Sequence, residues 1–272
     1  MVRSFLIAIL AWAILGIGAQ AQTVPDAGAL GGPRHLERLD ALCGAGTQLS
    51  EGCDAIRARG IVDASAPPWN AIGRVNFASI QVRQHCTGTL MGPRVVLTAS
   101  HCLYNYARKA WIPPSSVRFV AGYQRSRAVA TAGVVRYVLD PVQDTASRDY
   151  RAGPAQDWAV LVLDRPIEGI PFPALRTEEA IVETFDLAGY AGLRPHVLSV
   201  ARGCDKVGVS DGAILLRCAA MPGDSGSPVL VETPAGLEIA GVFVAVASGA
   251  EVLSLVVPSG RFETALREAL AE

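Results

Sequence analysis

Val95-Val96-Leu97-Thr98-Ala99-Ser100-His101-Cys102 is a short run of β-branched and aliphatic residues that leads directly into a histidine and a cysteine. It reads as a strand delivering a histidine at its end. Similar runs lie around it, each bounded by Gly, Pro, Asn or Asp: Ala71–Val75, Val117–Ala121, Gly133–Leu139 and Trp158–Leu163. After Pro166–Pro173 a second series follows, with Phe185–Ala188, His196–Ala201, Ile214–Cys218, Val229–Glu232, Ile239–Val246 and Val252–Val257. Short strands at this spacing predict an all-β sandwich or barrel. The end of the chain differs. Phe262, Leu266 and Leu270 recur every four residues behind Pro258-Ser259, which predicts a short amphipathic closing helix.

Composition narrows the function classes. The chain has 272 residues, 50% hydrophobic and 18% charged, which is too apolar for intrinsic disorder. Its 24 basic and 25 acidic residues leave a net charge of −1, without the basic face that a nucleic-acid grip needs. Glycine (27) and proline (17) suit many strands and turns better than a helical bundle. A membrane channel is excluded because there is a single long apolar run, at the N-terminus. There Arg3, the apolar stretch Phe5–Ile17 and Ala19-Gln20-Ala21 have the three-part layout of a secretory signal peptide. The stretch Ser4–Gly18 falls short of the roughly 20 residues a spanning helix needs. Residues 1–21 are therefore read as a signal, leaving no membrane contact after its removal. Residues 22–60, rich in Gly and Ala with one short helix expected near His35–Leu42, read as an N-terminal extension or pro-segment outside the core.

Six cysteines, Cys43, Cys53, Cys86, Cys102, Cys204 and Cys218, agree with export: an even number in an exported chain reads as disulfides, although six cysteines formally allow 15 connectivities. No Cys-x-x-Cys or clustered Cys/His spacing supports a metal site, and none is expected.

Three segments carry chemistry. Leu97–Cys102 brings His101. Gln156-Asp157-Trp158-Ala159-Val160-Leu161-Val162-Leu163 opens an apolar strand with a carboxylate, and that strand singles out Asp157 from Asp140, Asp144, Asp149 and Asp164. Gly223-Asp224-Ser225-Gly226-Ser227-Pro228 sets a serine in a glycine-flanked turn before a strand. A serine hydroxyl is a weak nucleophile until a base takes its proton, and imidazole titrates near neutrality. A carboxylate on the other ring nitrogen fixes the tautomer and stabilises the imidazolium. Glycines beside the serine let backbone N–H groups converge on a developing oxyanion; losing one such donor costs about 2.7–4 kcal/mol of barrier. Residue order excludes an α/β-hydrolase, whose histidine follows its nucleophile: His35, His85, His101 and His196 all precede Ser225. His85 and His196 read as surface or loop residues. A subtilisin-type order would need Asp63, which has no supporting motif.

Thr98-Ala99-Ser100-His101-Cys102, Cys86-Thr87-Gly88-Thr89-Leu90 and Gly223-Asp224-Ser225-Gly226 resemble, in this order, the motifs of the trypsin/chymotrypsin superfamily of serine endopeptidases, in particular the bacterial secreted branch that includes glutamyl endopeptidases. The resemblance covers about 61–272. It implies two antiparallel six-stranded β-barrels, at about 61–165 and 175–258, followed by a helix over 259–271, with the active site between the barrels. It further implies a triad of Ser225, His101 and Asp157, an oxyanion hole of the Gly223 and Ser225 N–H groups, no cofactor, and protein or peptide substrates. It implies a Cys86–Cys102 bridge, beside which Cys204–Cys218 and Cys43–Cys53 are expected. The rival from another class is a non-catalytic binding protein on the same fold, but no triad member is missing.

Two finer expectations rest on the same resemblance. Ala219 stands six residues before Ser225, where a carboxylate would select Arg or Lys; with Ala220 and Phe243 it implies an uncharged, apolar specificity pocket. Arg59-Gly60-Ile61-Val62 resembles the family's processing junction, where a freed N-terminal ammonium pairs with the Asp before the nucleophile, here Asp224. Removal of Gln22–Arg59, or of 22–60, from a poorly active precursor is the corresponding expectation.

Overall fold

A computed structural model describes residues 50–78, 83–176, 184–248 and 252–272. The chain enters through helix α1 (Ser50–Ala58) and the two-residue strand β1 (Gly60–Ile61). Then come β2 (Ile72–Ala78), β3 (Arg83–Gly92), β4 (Val95–Thr98), a small hairpin of β5 (Tyr104–Asn105) and β6 (Ala110–Trp111), β7 (Val117–Ala121), β8 (Ala130–Leu139) and β9 (Ala159–Leu163). Barrel one closes in the order β2-β3-β4-β9-β8-β7. The second half holds β10 (Ala174–Leu175), β11 (Thr184–Gly189), β12 (Ser199–Ser210), β13 (Ala213–Arg217), β14 (Pro228–Thr233), β15 (Gly236–Ser248) and β16 (Val252–Pro258). Barrel two runs β12-β11-β14-β15-β16-β13 and closes through the β12–β13 pairing. The expected pair of six-stranded antiparallel barrels is therefore present.

Sequence texture follows position in the barrels. Strand β7 faces solvent on one side, so Val117, Phe119 and Ala121 are buried while Arg118 is exposed. All four residues of β4 are buried, as are four of the five in β9. The alternation of the pleat sorts their apolar side chains into two cores. Val96, Ala159, Leu161 and Leu163 fill the interior of barrel one with Leu90 and Phe119. Val95, Leu97, Trp158 and Val160 point outward, against Leu198, Val200, Leu230, Val242 and Val257 of barrel two. Each such burial stabilises by about 1.5–3 kcal/mol. Barrel two has an interior of its own around Phe185, Leu187, Leu216, Phe243 and Val256.

The closing helix α2 (Glu263–Leu270) is preceded by a 3-10 turn at Ser259–Arg261. Phe262 and Leu266 enter the layer between the barrels and Ala269 joins them, while Leu270 stays 44% exposed, one position off the buried stripe. Disulfides Cys86–Cys102 and Cys204–Cys218 are formed; the first joins β3 to the segment after β4, and the second joins β12 to the end of β13. Cys53 is disulfide-bonded, and Cys43 and the helix expected near His35–Leu42 lie outside the described residues. Structure extends ahead of Ile61, because α1 places Ile56 against Ala191 and Met221.

The burial difference on α2 sets an expected outcome. Phe262→Ala should cost about 3–5 kcal/mol of stability in urea denaturation. Leu270→Ala should cost about 1 kcal/mol or less. Equal losses would contradict the assigned buried face.

Candidate active site

Strands β4 and β9 are antiparallel neighbours with Thr98 opposite Ala159. The residue three beyond Thr98 and the residue two before Ala159 therefore leave the sheet at the same end. These are His101 and Asp157. Ala99 remains extended, and a 3-10 turn over Ser100–Leu103 then swings His101 off the strand axis. Asp157 closes the turn Pro154–Gln156. The His101 N–H donates to Asp157 Oδ1 at 2.9 Å, and His101 Nδ1 lies 2.7 Å from Oδ2. An ionised carboxylate only accepts, so Nδ1 carries the proton and Nε2 is left as the basic nitrogen.

Asp157 has further partners. Its Oδ1 also accepts from Ser100 Oγ at 2.8 Å and from the Tyr150 hydroxyl at 2.7 Å. Tyr150 comes from the loop between β8 and β9 and stacks in an aromatic group with Tyr104, Tyr106 and Trp111. Burial pushes the Asp157 carboxyl up, but the facing His101 and the donated hydrogen bonds outweigh it and hold the group below its ordinary value of 3.8. Burial, and then the charge of Asp157, raise the Tyr150 phenol well above its ordinary value, so it remains a donor.

Thr87 ties the serine turn to the barrel that carries this pair. Thr87, fully buried on β3, donates its N–H to Ser225 O at 2.8 Å and its hydroxyl to Gly223 O at 2.8 Å. Its own carbonyl accepts from Thr98 Oγ1 at 2.7 Å, which connects the serine turn to β4. Cys102 Sγ lies 3.9 Å from both His101 Nε2 and the Ser225 carbonyl oxygen. Gly223 and Gly226 have φ of +99° and +81°. A Cβ on Gly226 would stand 2.2 Å from Thr87 O and Thr98 Oγ1, so only glycine allows the turn to reach barrel one. His101, Asp157 and Ser225 are 4–6% exposed.

The other expected site residues are distributed as follows. Ala220 and Phe243 share the interior of barrel two, and Ala219 packs with Ile56, Ala191 and Met221. Phe243 runs beside the serine turn, accepting from the Gly226 N–H at 2.8 Å and donating to Ser227 O at 2.9 Å. His196 is exposed, as expected, with its Nδ1 2.7 Å from the Tyr123 hydroxyl. His85 differs from expectation: it sits partly buried on β3 with Nε2 2.9 Å from Tyr190 O, because the strand around Cys86 begins before the motif that marks it. Cys86, Cys102 and His101 lie close enough together to resemble a metal-ligand set, but both sulfurs are taken up in the disulfide. Sequence reasoning missed Ser100, Tyr150 and Thr87 as supports. Ser100 carried a signal, a hydroxyl beside His101 in the quoted motif; Tyr150 carried none.

The depressed Asp157 sets a pH dependence. Its contribution to stability is present above the unfolded value and is lost as pH falls through the lower folded value. In a Ser225→Ala background, the stability gap between Asp157 and Asp157→Asn should narrow on acidification below about pH 4. Urea titrations across pH check this, and a gap that widened on acidification would contradict it.

Over residues 65–258 the chain matches the family model described as Trypsin. The solved structure titled "Structure of Glu endopeptidase in complex with MPD" superposes with a TM-score of 0.64 at 22% identity, covering 79% of this chain and 97% of that one. Comparison with curated proteins gives no match. The family match spans most of the chain, and it falls on two closed barrels whose facing ends carry a histidine–aspartate pair and a glycine-flanked serine: the chain belongs to the trypsin family of serine proteases.

Proposed function

We propose that the protein is an exported serine endopeptidase that works through an acyl-enzyme. The observation that carries this reading is the buried His101–Asp157 pair, with Nδ1 and Oδ2 2.7 Å apart, beside the Ser225 turn. His101 Nε2 takes the proton of Ser225 Oγ as that oxygen bonds to the substrate carbonyl carbon. The resulting oxyanion is received by the N–H groups of Gly223 and Ser225. The imidazolium then gives its proton to the departing amine as the C–N bond breaks. Water attacks the ester in the second half, with His101 again accepting and returning the proton. Asp157 stays ionised throughout and holds the imidazole in place.

Export is proposed from the N-terminal signal pattern at 1–21, and the two described disulfides suit an oxidising compartment. No helix among the described residues is long and apolar enough to cross a membrane. Specificity is proposed to rest on Ala219, Ala220 and Phe243, which offer no charge to a buried substrate side chain. An unpaired charge taken out of water is costly, so an uncharged, apolar residue before the scissile bond is favoured.

The purified protein should label with a fluorophosphonate at Ser225 and cleave peptides. Ser225→Ala and His101→Ala should each lower kcat on the order of 10⁶-fold while remaining folded. Asp157→Asn should lower it about 10⁴-fold by favouring the wrong tautomer. Substantial turnover by folded Ser225→Ala protein would overturn the assignment. A peptide library should show cleavage after apolar residues, and efficient cleavage after Arg or Glu would overturn the pocket reading.

A further inference from the structure

Asp224, immediately before the nucleophile, is a fully buried carboxylate. Such a group needs a cation, since an unpaired buried charge costs several kcal/mol. The junction motif predicts a freed N-terminal ammonium in that role. In the unbroken chain Arg59 occupies it. Its Nη1 donates to Asp224 Oδ1 at 2.9 Å and its Nη2 to Oδ2 at 3.0 Å, a two-pronged pair across 165 positions of sequence. The two side chains are 1% and 0% exposed. The same Nη2 also donates to the carbonyl of Ala219.

This guanidinium grips both ends of the segment that shapes the serine turn. Ala219 begins the segment and Asp224 ends it, and Met221 N–H donates to Asp224 Oδ2 at 3.0 Å in between. Gly192 N–H to Pro222 O at 2.7 Å and Ser227 N–H to Asp224 O at 2.8 Å complete the frame around Gly223 and Ser225. Arg59 is in turn held by its own surroundings. Ile56 of α1 is 1% exposed against Ala191 and Met221. The carbonyls of Arg57 and Arg59 both accept from Arg194, the second at 3.0 Å. Beyond it, Gly60 and Ile61 pair with Val200 and Ser199 in β1, leaving Ile61 half exposed on the surface. The delivering segment itself, from Ile56 to Ile61, precedes the matched span 65–258.

We infer that Arg59 is the resident cation of Asp224, a positioning residue for the oxyanion turn, and that the segment from α1 to β1 belongs to the working enzyme. The inference rests on the serine-protease reading above. An ammonium offers one charged point, whereas a guanidinium matches both carboxylate oxygens in a plane and has N–H groups left for a carbonyl. Being in the chain, Arg59 needs no new terminus at Gly60 or Ile61. A protease that reads arginine would have to extract this buried side chain before cutting after it. A cut there would leave Arg59 at a new C-terminus, joined to the turn by non-covalent contacts alone.

The test uses the exported protein, with the first residue of the active species determined by mass and terminal sequencing. Peptidase kinetics, fluorophosphonate labelling rate and thermal unfolding are then compared for Arg59→Met, Arg59→Lys and Arg59→Ala. The active species should retain Arg59 joined to Gly60. Arg59→Met should lower kcat and the labelling rate about 10²–10³-fold, the scale of a lost oxyanion donor, with a smaller change in KM. Arg59→Lys should recover part of that loss. Arg59→Ala should gain activity when ethylguanidinium is added, a response that Ser225→Ala should lack. If Arg59→Met does not fold, the lysine variant and the ethylguanidinium response decide the matter. Wild-type kcat in folded Arg59→Met, or an active species that begins at Gly60 or Ile61 without the upstream segment, would overturn the inference alone. A folded wild-type protein that neither cleaves peptides nor labels would overturn both this inference and the proposed function.

Discussion

The apolar layer between the two barrels is the constraint on which the site depends. Val95, Leu97, Trp158 and Val160 turn away from the interior of their own barrel and are buried against Leu198, Val200, Leu230 and Val242. The same strands carry His101 and Asp157 at their ends, so the packing that joins the barrels also sets the positions of this histidine and its carboxylate. Phe262 and Leu266 of the closing helix seal this layer and thereby support the site from a distance. Close packing transmits small shifts, since an interior at crystal-like density has little room to absorb them.

Two buried carboxylates serve the candidate site, and their partners differ in kind. Asp157 faces an imidazole, which under the proposed mechanism gains and loses a proton, and fixed neutral donors from Ser100 and Tyr150 share its charge. Asp224 faces a guanidinium, which does not deprotonate in proteins, and holds a loop instead of passing a proton. A reversible partner suits the position where charge moves. A permanent one suits the position where shape must persist.

Thr87 links these two arrangements. From one buried position on β3 it bonds the carbonyls of Gly223 and Ser225, and its own carbonyl is bonded by Thr98 on the strand that leads to His101. The Cys86–Cys102 bridge, one residue away, joins β3 to the segment after β4 within barrel one, so it reinforces the Thr87–Thr98 bond while the bonds to Gly223 and Ser225 cross to the serine turn. Gly226 permits the approach by omitting a Cβ where two oxygens stand 2.2 Å away from where it would be.

Much of this was legible in the sequence, and the reason is locality. The runs Val95–Thr98 and Trp158–Leu163 are apolar on both faces because both faces are buried, and such a pattern survives in one dimension. The glycines around Ser225 are required by backbone angles at their own positions, and the cysteine beside His101 marks its motif without reference to the rest of the chain. Other features needed the folded chain. Tyr150 is an ordinary loop tyrosine until the loop folds over Asp157. Leu270 fits a four-residue repeat, yet the angle at which α2 meets the barrels leaves it outside the buried stripe. Arg59 stands in the sequence only as part of a resembled processing junction. Its pairing with Asp224 was decided by tertiary structure alone, because a contact across 165 positions depends on where two barrels and a helix place their side chains, and no local spacing records that.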